Sequence, residues 1–285
     1  MEVKIKSNPV TIKIGGSGGA PAPPTPPEFA APISSDFFSV ESNYLAGQIQ
    51  CLTAMPCMDG ITNFYDCKKG LTTSSWANQV SNANHAVLTG ATITQDGDLQ
   101  VLCTDASHGY FDANISHGGS YSMCLYAVFK GARGGAIRRN HYVIGSGYDD
   151  INSYTLGEWL SVAIDGYDKP DTICADIRGV SCPSNVYCDS YHVVAVNKFH
   201  WVHTYNEYKV SMYIDGVLIS EYSNFHIPSG VNFGIGCIRD PGDTFFYSDR
   251  DLPVQIKMLA VGGESHSAEQ IAQNSAWLRQ YYNLS

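Results

Sequence analysis

Six short runs rich in β-branched and aromatic residues recur between residues 120 and 263: SYSMCLYAVFK, EWLSVAIDG, SYHVVAVNKFHWVHTY, KVSMYIDGVLISEY, VNFGIGCI and PVQIKMLAVGG. Gly, Asp and Asn stand between them. Side chains that branch at Cβ or carry a ring suit a half-buried pleated surface better than a helix, and the small polar residues supply tight turns. Strands at this spacing argue for a sandwich or barrel. A chain of 285 residues accommodates one such all-β unit and buries most of its surface without help from metals or disulfides. The expected fold class is therefore all-β, an antiparallel two-sheet sandwich over residues 34–285. Only the C-terminal SAEQIAQNSAWLRQYY reads as a helix, near 267–282. Ser267 and Gln270 fit a capping box, and Ile271, Leu278 and Tyr281 fall close to one face. A lone helix cannot cover a sheet, so it is expected at an edge or end of the sandwich.

The first 33 residues have a different character. Val3, Ile5, Val10, Ile12 and Ile14 give residues 1–14 a strand-like alternation with no partner strand of their own. A Gly/Ser-then-Pro segment follows at 15–33, flexible in its first half and semi-rigid in its second. This pattern suits an attachment arm on a stalk, able to add a strand to another protein's sheet. It equally suits a plain tail.

Charge narrows the partners. The formal net charge is −10, with no Lys/Arg cluster. A nucleic-acid groove needs a basic stripe to displace counterions from phosphates, so nucleic acid is not an expected partner. No stretch of 18 apolar residues is present, so no membrane insertion is expected. The opening residues carry no apolar core or small-residue cleavage site of an export signal. The nine cysteines lack zinc-ribbon spacing and are expected to be mostly free, buried thiols.

Specific residues then point to a family. FHWVHTYNEYKVSMYIDGVLISEY resembles the central hairpin of laminin-G and concanavalin-A-like domains through Trp201, Tyr205, Tyr213, Asp215 and Gly216. SSWANQVSNANHAVLTGATITQDGDLQV resembles the opening of such domains, and VQIKMLAVGGESHSAEQIAQ their strand-to-helix ending. The resemblance covers roughly residues 60–283 as pattern and order. It implies a jelly-roll sandwich, a fold shared by lectins, glycoside hydrolases and virion proteins, so function rests on the site.

Catalysis finds little support in the sequence. Glycosidases on this fold need paired carboxylates on one strand face, and no glutamate sits two to four residues from another acid in a strand-like run. No G-x-S-x-G elbow is present, and the histidines are scattered. A non-enzymatic protein is expected. Ligand binding has better candidates. Phe245, Phe246 and Tyr247 stand among Asp243 and Asp249, and Tyr110 stands beside Asp112. Aromatic platforms with carboxylate hydrogen-bonders are what a glycan site needs, although aromatics in a loop also serve to anchor it in a core. The resemblance further implies Ca2+ as a candidate cofactor, for which Asp149, Asp150, Asp240 and Asp243 offer hard oxygen ligands. Asp is also a common turn former.

Arm, stalk, lone sandwich and missing catalytic set suggest a bacteriophage virion protein. Residues 1–14 would hold capsid or tail proteins, and the body would bind surface glycans as a homo-oligomer on the particle, after synthesis in the host cytoplasm. A cellular adhesion module and, further off, a glycoside hydrolase are the alternatives.

Overall fold

The computed structural model describes residues 55–104, 108–113, 122–133, 141–148, 158–165, 169–177, 180–202, 207–224, 232–239, 245–247 and 253–284. The expected arm, the stalk and the first residues of the body, up to 54, lie outside them.

Two sheets form the body. The eight-stranded sheet orders its strands as β14 (Val217–Asn224), β13 (Glu207–Ile214), β12 (His192–Val202), β7 (Met123–Gly131), β18 (Val254–Gly262), β5 (Leu99–Thr104) and β4 (Thr92–Asp96), with β1 (Ile61–Asp66) also on β18. The ten-stranded sheet runs β11 (Val180–Tyr187), β10 (Thr172–Ile177), β9 (Glu158–Ile164), β8 (His141–Tyr148), β15 (Asn232–Ile235), β6 (His108–Asp112), β3 (Ala86–Thr89) and β2 (Ser75–Trp76). A hairpin of β16 (Cys237–Arg239) and β17 (Phe245–Tyr247) joins it at β8. The expected antiparallel two-sheet architecture is present. The pairing of β16 with β8 is parallel.

The core lies between the sheets. Tyr65 of β1 meets Trp76 of β2 and Phe111 of β6, with ring centroids 5.8 and 4.8 Å away. Phe111 stacks in turn on Phe233 of β15 at 5.3 Å. Four aromatic rings from both sheets thus form one cluster. The β7 and β18 strands are buried at nearly every position. That explains why their sequences read as continuous apolar runs rather than alternations.

The β13–β14 hairpin turns at Asp215 and Gly216, both with positive φ (52° and 83°). Two such residues in succession match the twist of a two-residue hairpin. Tyr213 beside this turn is buried at 7% exposure, as the resemblance noted in the sequence leads one to expect. Trp201 lies on the neighbouring β12, its side chain outside the description.

Helix α1 (Ala268–Tyr281) starts where its capping box places it. The Gln270 N–H donates to Ser267 Oγ at 3.2 Å, and the Ser267 N–H donates to Gln270 Oε1 at 2.8 Å. Its position corrects the expectation of an edge or end. Asn274 Nδ2 donates to the Tyr126 hydroxyl of β7, an interior strand, at 3.3 Å and to Cys57 O at 2.9 Å. The helix also packs along β12. It therefore buries part of the eight-stranded sheet, because Ile271, Asn274, Ser275 and Leu278 form a partly polar stripe that meets buried hydrogen-bonding groups there.

The eight described cysteines are all free, seven of them buried, which agrees with their expected role as small hydrophobes. Burial pushes the Cys67 and Cys237 thiols up to about 12, so neither is a nucleophile at neutral pH.

Candidate functional site

The patch around Tyr110 and Asp112 is assembled by β15. That strand pairs with β6, setting Gly234 against Tyr110 and Asn232 against Asp112. It also pairs with β8 through Gly234 and Gly145. Gly236 then breaks the strand with φ 77° and redirects the chain into β16. Gly145 permits the close approach of β16, since a Cβ there would stand 2.8 Å from Ile238 Cγ1.

Arg239 ends β16 with its side chain buried. Its Nη1 lies 2.8 Å from Asp112 Oδ1 and donates to Phe111 O at 3.3 Å. The guanidinium carbon stands 4.5 Å from the centre of the Tyr110 ring. Asn232 Nδ2 donates to the same Asp112 oxygen at 3.2 Å. Both bonds fall on Oδ1, and the Asp112 side chain remains 60% exposed, so its acceptors stay accessible to a ligand hydroxyl.

On its other side β16 pairs with β17, Arg239 against Phe245, Ile238 against Phe246 and Cys237 against Tyr247. Tyr110 and Asp112 on one hand, and residues 245–247 on the other, were separate candidates in the sequence. Here β15 and β16 join them in one part of the ten-stranded sheet. The side chains of Phe245, Phe246 and Tyr247 lie outside the description, as do Asp149, Asp150, Asp240, Asp243 and Asp249. Among the described residues, no three His, Cys, Asp or Glu converge to hold a metal. The sequence reading missed Arg239. Its signal was a charge at the end of the apolar run GIGCIR, which calls for a buried partner.

A second arrangement departs from the sequence reading. Histidines judged scattered include His192, whose Nε2 lies 2.9 Å from Ser190 Oγ and whose Nδ1 lies 2.7 Å from Asp215 Oδ2. Serine, imidazole and carboxylate stand in the order of a nucleophilic relay, which no sequence spacing revealed. Asp215 is heavily engaged, however. It accepts the Val193 N–H at 3.0 Å and pairs with Arg279 of α1 at 3.0 Å. Burial works to raise this carboxyl, and the bonds from His192 and Val193 with the nearby Arg279 charge outweigh it, so it sits below its ordinary value. The group clamps hairpin, β12 and helix together.

No protein-family model matches the sequence, and no curated protein matches it. Solved structures do. The binding domain of Paraclostridial Mosquitocidal Protein 1 superposes with a TM-score of 0.53 at 9% identity, over 79% of this chain and 53% of that one. Trypanosoma rangeli sialidase gives 0.53 at 14% identity, over 80% and 34%. A botulinum neurotoxin type C structure gives 0.51 at 9% identity, over 80% and 52%. This chain spans about half the length of the toxin structures and about a third of the sialidase. At such identities the likeness is one of fold, in line with the jelly-roll expectation.

Proposed function

We propose that this chain is a glycan-binding surface protein of a virion, a phage capsid or tail component. Its sandwich body binds surface sugars, and residues 1–14 attach it to the particle. One observation carries the glycan reading: the exposed Asp112 carboxylate, fixed by Arg239 and Asn232 beside Tyr110, in the same part of the sheet as β17 with its two phenylalanines and a tyrosine. A prefixed acceptor beside an aromatic ring is the composition of a saccharide site, where hydroxyls need hydrogen-bond partners and the sugar's C–H face needs a flat apolar one. The neighbours lend support, since the botulinum neurotoxin of type C depends on interaction with two ganglioside molecules to enter cells. The virion placement rests on the sequence alone, on the alternating arm and its Gly/Pro stalk.

The test is a glycan array probed with the full chain and with Asp112→Ala and Tyr110→Ala. Specific sugar binding that both changes weaken at least about tenfold, the scale of one lost central contact, is the expected result. Binding that both variants retain in full would place the site elsewhere.

A further inference from the structure

The edge of the ten-stranded sheet, away from Asp112, is built irregularly. Cys174 of β10 pairs with Pro183 of β11, and Thr172 with Tyr187, so four steps of β11 oppose two of β10. Pro183 has no N–H to give a ladder, and strand prolines sit at edges and bulges. Buried Ser184 holds the bulge together: its hydroxyl accepts the Val186 N–H at 3.0 Å and donates to Val186 O at 3.3 Å. Bulges re-aim side chains and gather beside binding sites. This one leaves Asn185 exposed and Tyr187 48% exposed.

With Lys169, Pro170 and Thr172, these two residues line an open cleft of about 300 Å³. The walls are fixed. Lys169 Nζ donates to Asn185 Oδ1 at 2.8 Å, its backbone N–H donates to Asp165 Oδ2 at 3.1 Å, and Thr172 Oγ1 donates to Lys169 O at 2.7 Å. Arg133 sets its guanidinium carbon 3.7 Å over the Tyr187 ring, and its Nε lies 2.7 Å from Asp189 Oδ2.

We propose that this cleft is a second saccharide site, which takes the C–H face of one neutral pyranose against Tyr187. The inference rests on the glycan-binding reading above and adds a site five strands away in the sheet order, about 24 Å at ordinary strand spacing. An aromatic ring held in advance spares the cost of ordering it on binding. The Lys169 ammonium has protons beyond the one given to Asn185, and the Asn185 amide has donors and an acceptor, so a pair of sugar hydroxyls finds partners of both kinds. The Arg133–Asp189 ion pair offsets one of the two positive charges beside the cleft, and the Lys169 ammonium is left to donate to a sugar hydroxyl, so the phosphate comparison below separates a neutral ligand from an anion. The volume sits at the small end of ligand pockets, the size for a terminal sugar rather than a polymer.

Saturation-transfer NMR with methyl β-galactoside, methyl β-glucoside and methyl α-mannoside tests this on the full chain, with inorganic phosphate as the anionic comparison. At least one pyranoside should receive saturation on its ring C–H protons. Its affinity should fall at least about tenfold in Tyr187→Ala and fall in Asn185→Ala, and both losses should recur in an Asp112→Ala background, where the first site is silenced, with unchanged circular dichroism throughout. Full affinity in both Tyr187→Ala and Asn185→Ala, or binding of phosphate in place of sugar, overturns the second site. If sugar binding then still depends on Asp112, the first site stands without it. If no sugar binds anywhere, both fall.

Discussion

Arg239 Nη1 and Asp112 Oδ1 stand 2.8 Å apart, joining residues 127 positions apart in sequence, yet the two partners live in different surroundings. The arginine side chain is 6% exposed and the aspartate 60%. Removing the exposed partner leaves Arg239 its bond to Phe111 O and its place over Tyr110. Asp112→Ala is therefore expected to cost about 1 kcal/mol or less. Arg239→Ala removes the buried guanidinium, leaving its volume unfilled and Phe111 O without this donor, and should cost about 3 kcal/mol. Thermal midpoints of the two variants compare directly, and a larger drop for Asp112→Ala would show that the arginine is not the anchor.

Two hairpin glycines separate backbone strain from crowding. Gly97 has φ 60° and nothing within 4 Å of a modest added Cβ. Gly216 has φ 83°, and a Cβ there would stand 3.2 Å from Ala272 Cα of the helix. Gly97→Ala should cost about 1 kcal/mol for the left-handed conformation alone, and Gly216→Ala clearly more. Urea midpoints give the order. Equal losses would mean that helix and hairpin part without penalty.

The architecture was legible because strand alternation and turn residues are local signals. Ser267 and Gln270 marked the helix start, and Asp215-Gly216 marked the hairpin. The helix's resting place was not legible, since it depends on Asn274 finding Tyr126, 148 residues away. The site was half legible for the same reason. Tyr110 and Asp112 announced themselves by composition, but their link to β17 runs through Arg239, and no local pattern encodes a pair across the sheet. The Tyr187 cleft was invisible because a bulge, not an alternation, turns its residues outward.

The Asp215 clamp predicts a definite pH response. Its carboxyl lies below the ordinary value of 3.8 in the folded protein. A depressed carboxyl contributes stability that is complete above the ordinary value and is lost as pH falls through the folded one. The native protein should therefore lose thermal stability below about pH 4. Asp215→Asn should start less stable at neutral pH and lose less over that acid window. Parallel pH profiles for the two would refute the clamp.

The same clamp bears on chemistry. With Asp215 shared between His192 and Arg279, Ser190 is expected to be a hydrogen-bonding partner of the imidazole rather than a nucleophile. A fluorophosphonate probe should leave Ser190 unlabelled, and Ser190→Ala should shift stability by no more than about 0.5 kcal/mol. Labelling of Ser190 that disappears in His192→Ala would establish a working relay and reverse the reading.

The arm decides between a particle component and a free adhesin. Residues 1–14 alternate as a strand does, and residues 15–33 are rich in glycine, proline and alanine, the composition of the proposed stalk. A single strand cannot satisfy its own backbone donors and acceptors, so a segment of this pattern gains most by pairing with another chain. In a particle that partner is a capsid or tail subunit, or the arms of sister copies about a symmetry axis. Oligomeric display would also strengthen weak sugar binding, because linked sites act at high effective concentration. The described core begins at residue 55 and draws its aromatic cluster from Tyr65, Trp76, Phe111 and Phe233. Deleting residues 1–32 should therefore leave the thermal midpoint and the affinity for a single sugar unchanged. Light scattering should show a smaller assembly, and binding to a multivalent glycan surface should fall well below that of the full chain. An unchanged assembly with full surface binding would reduce the arm to a tail and remove the main support for a virion protein.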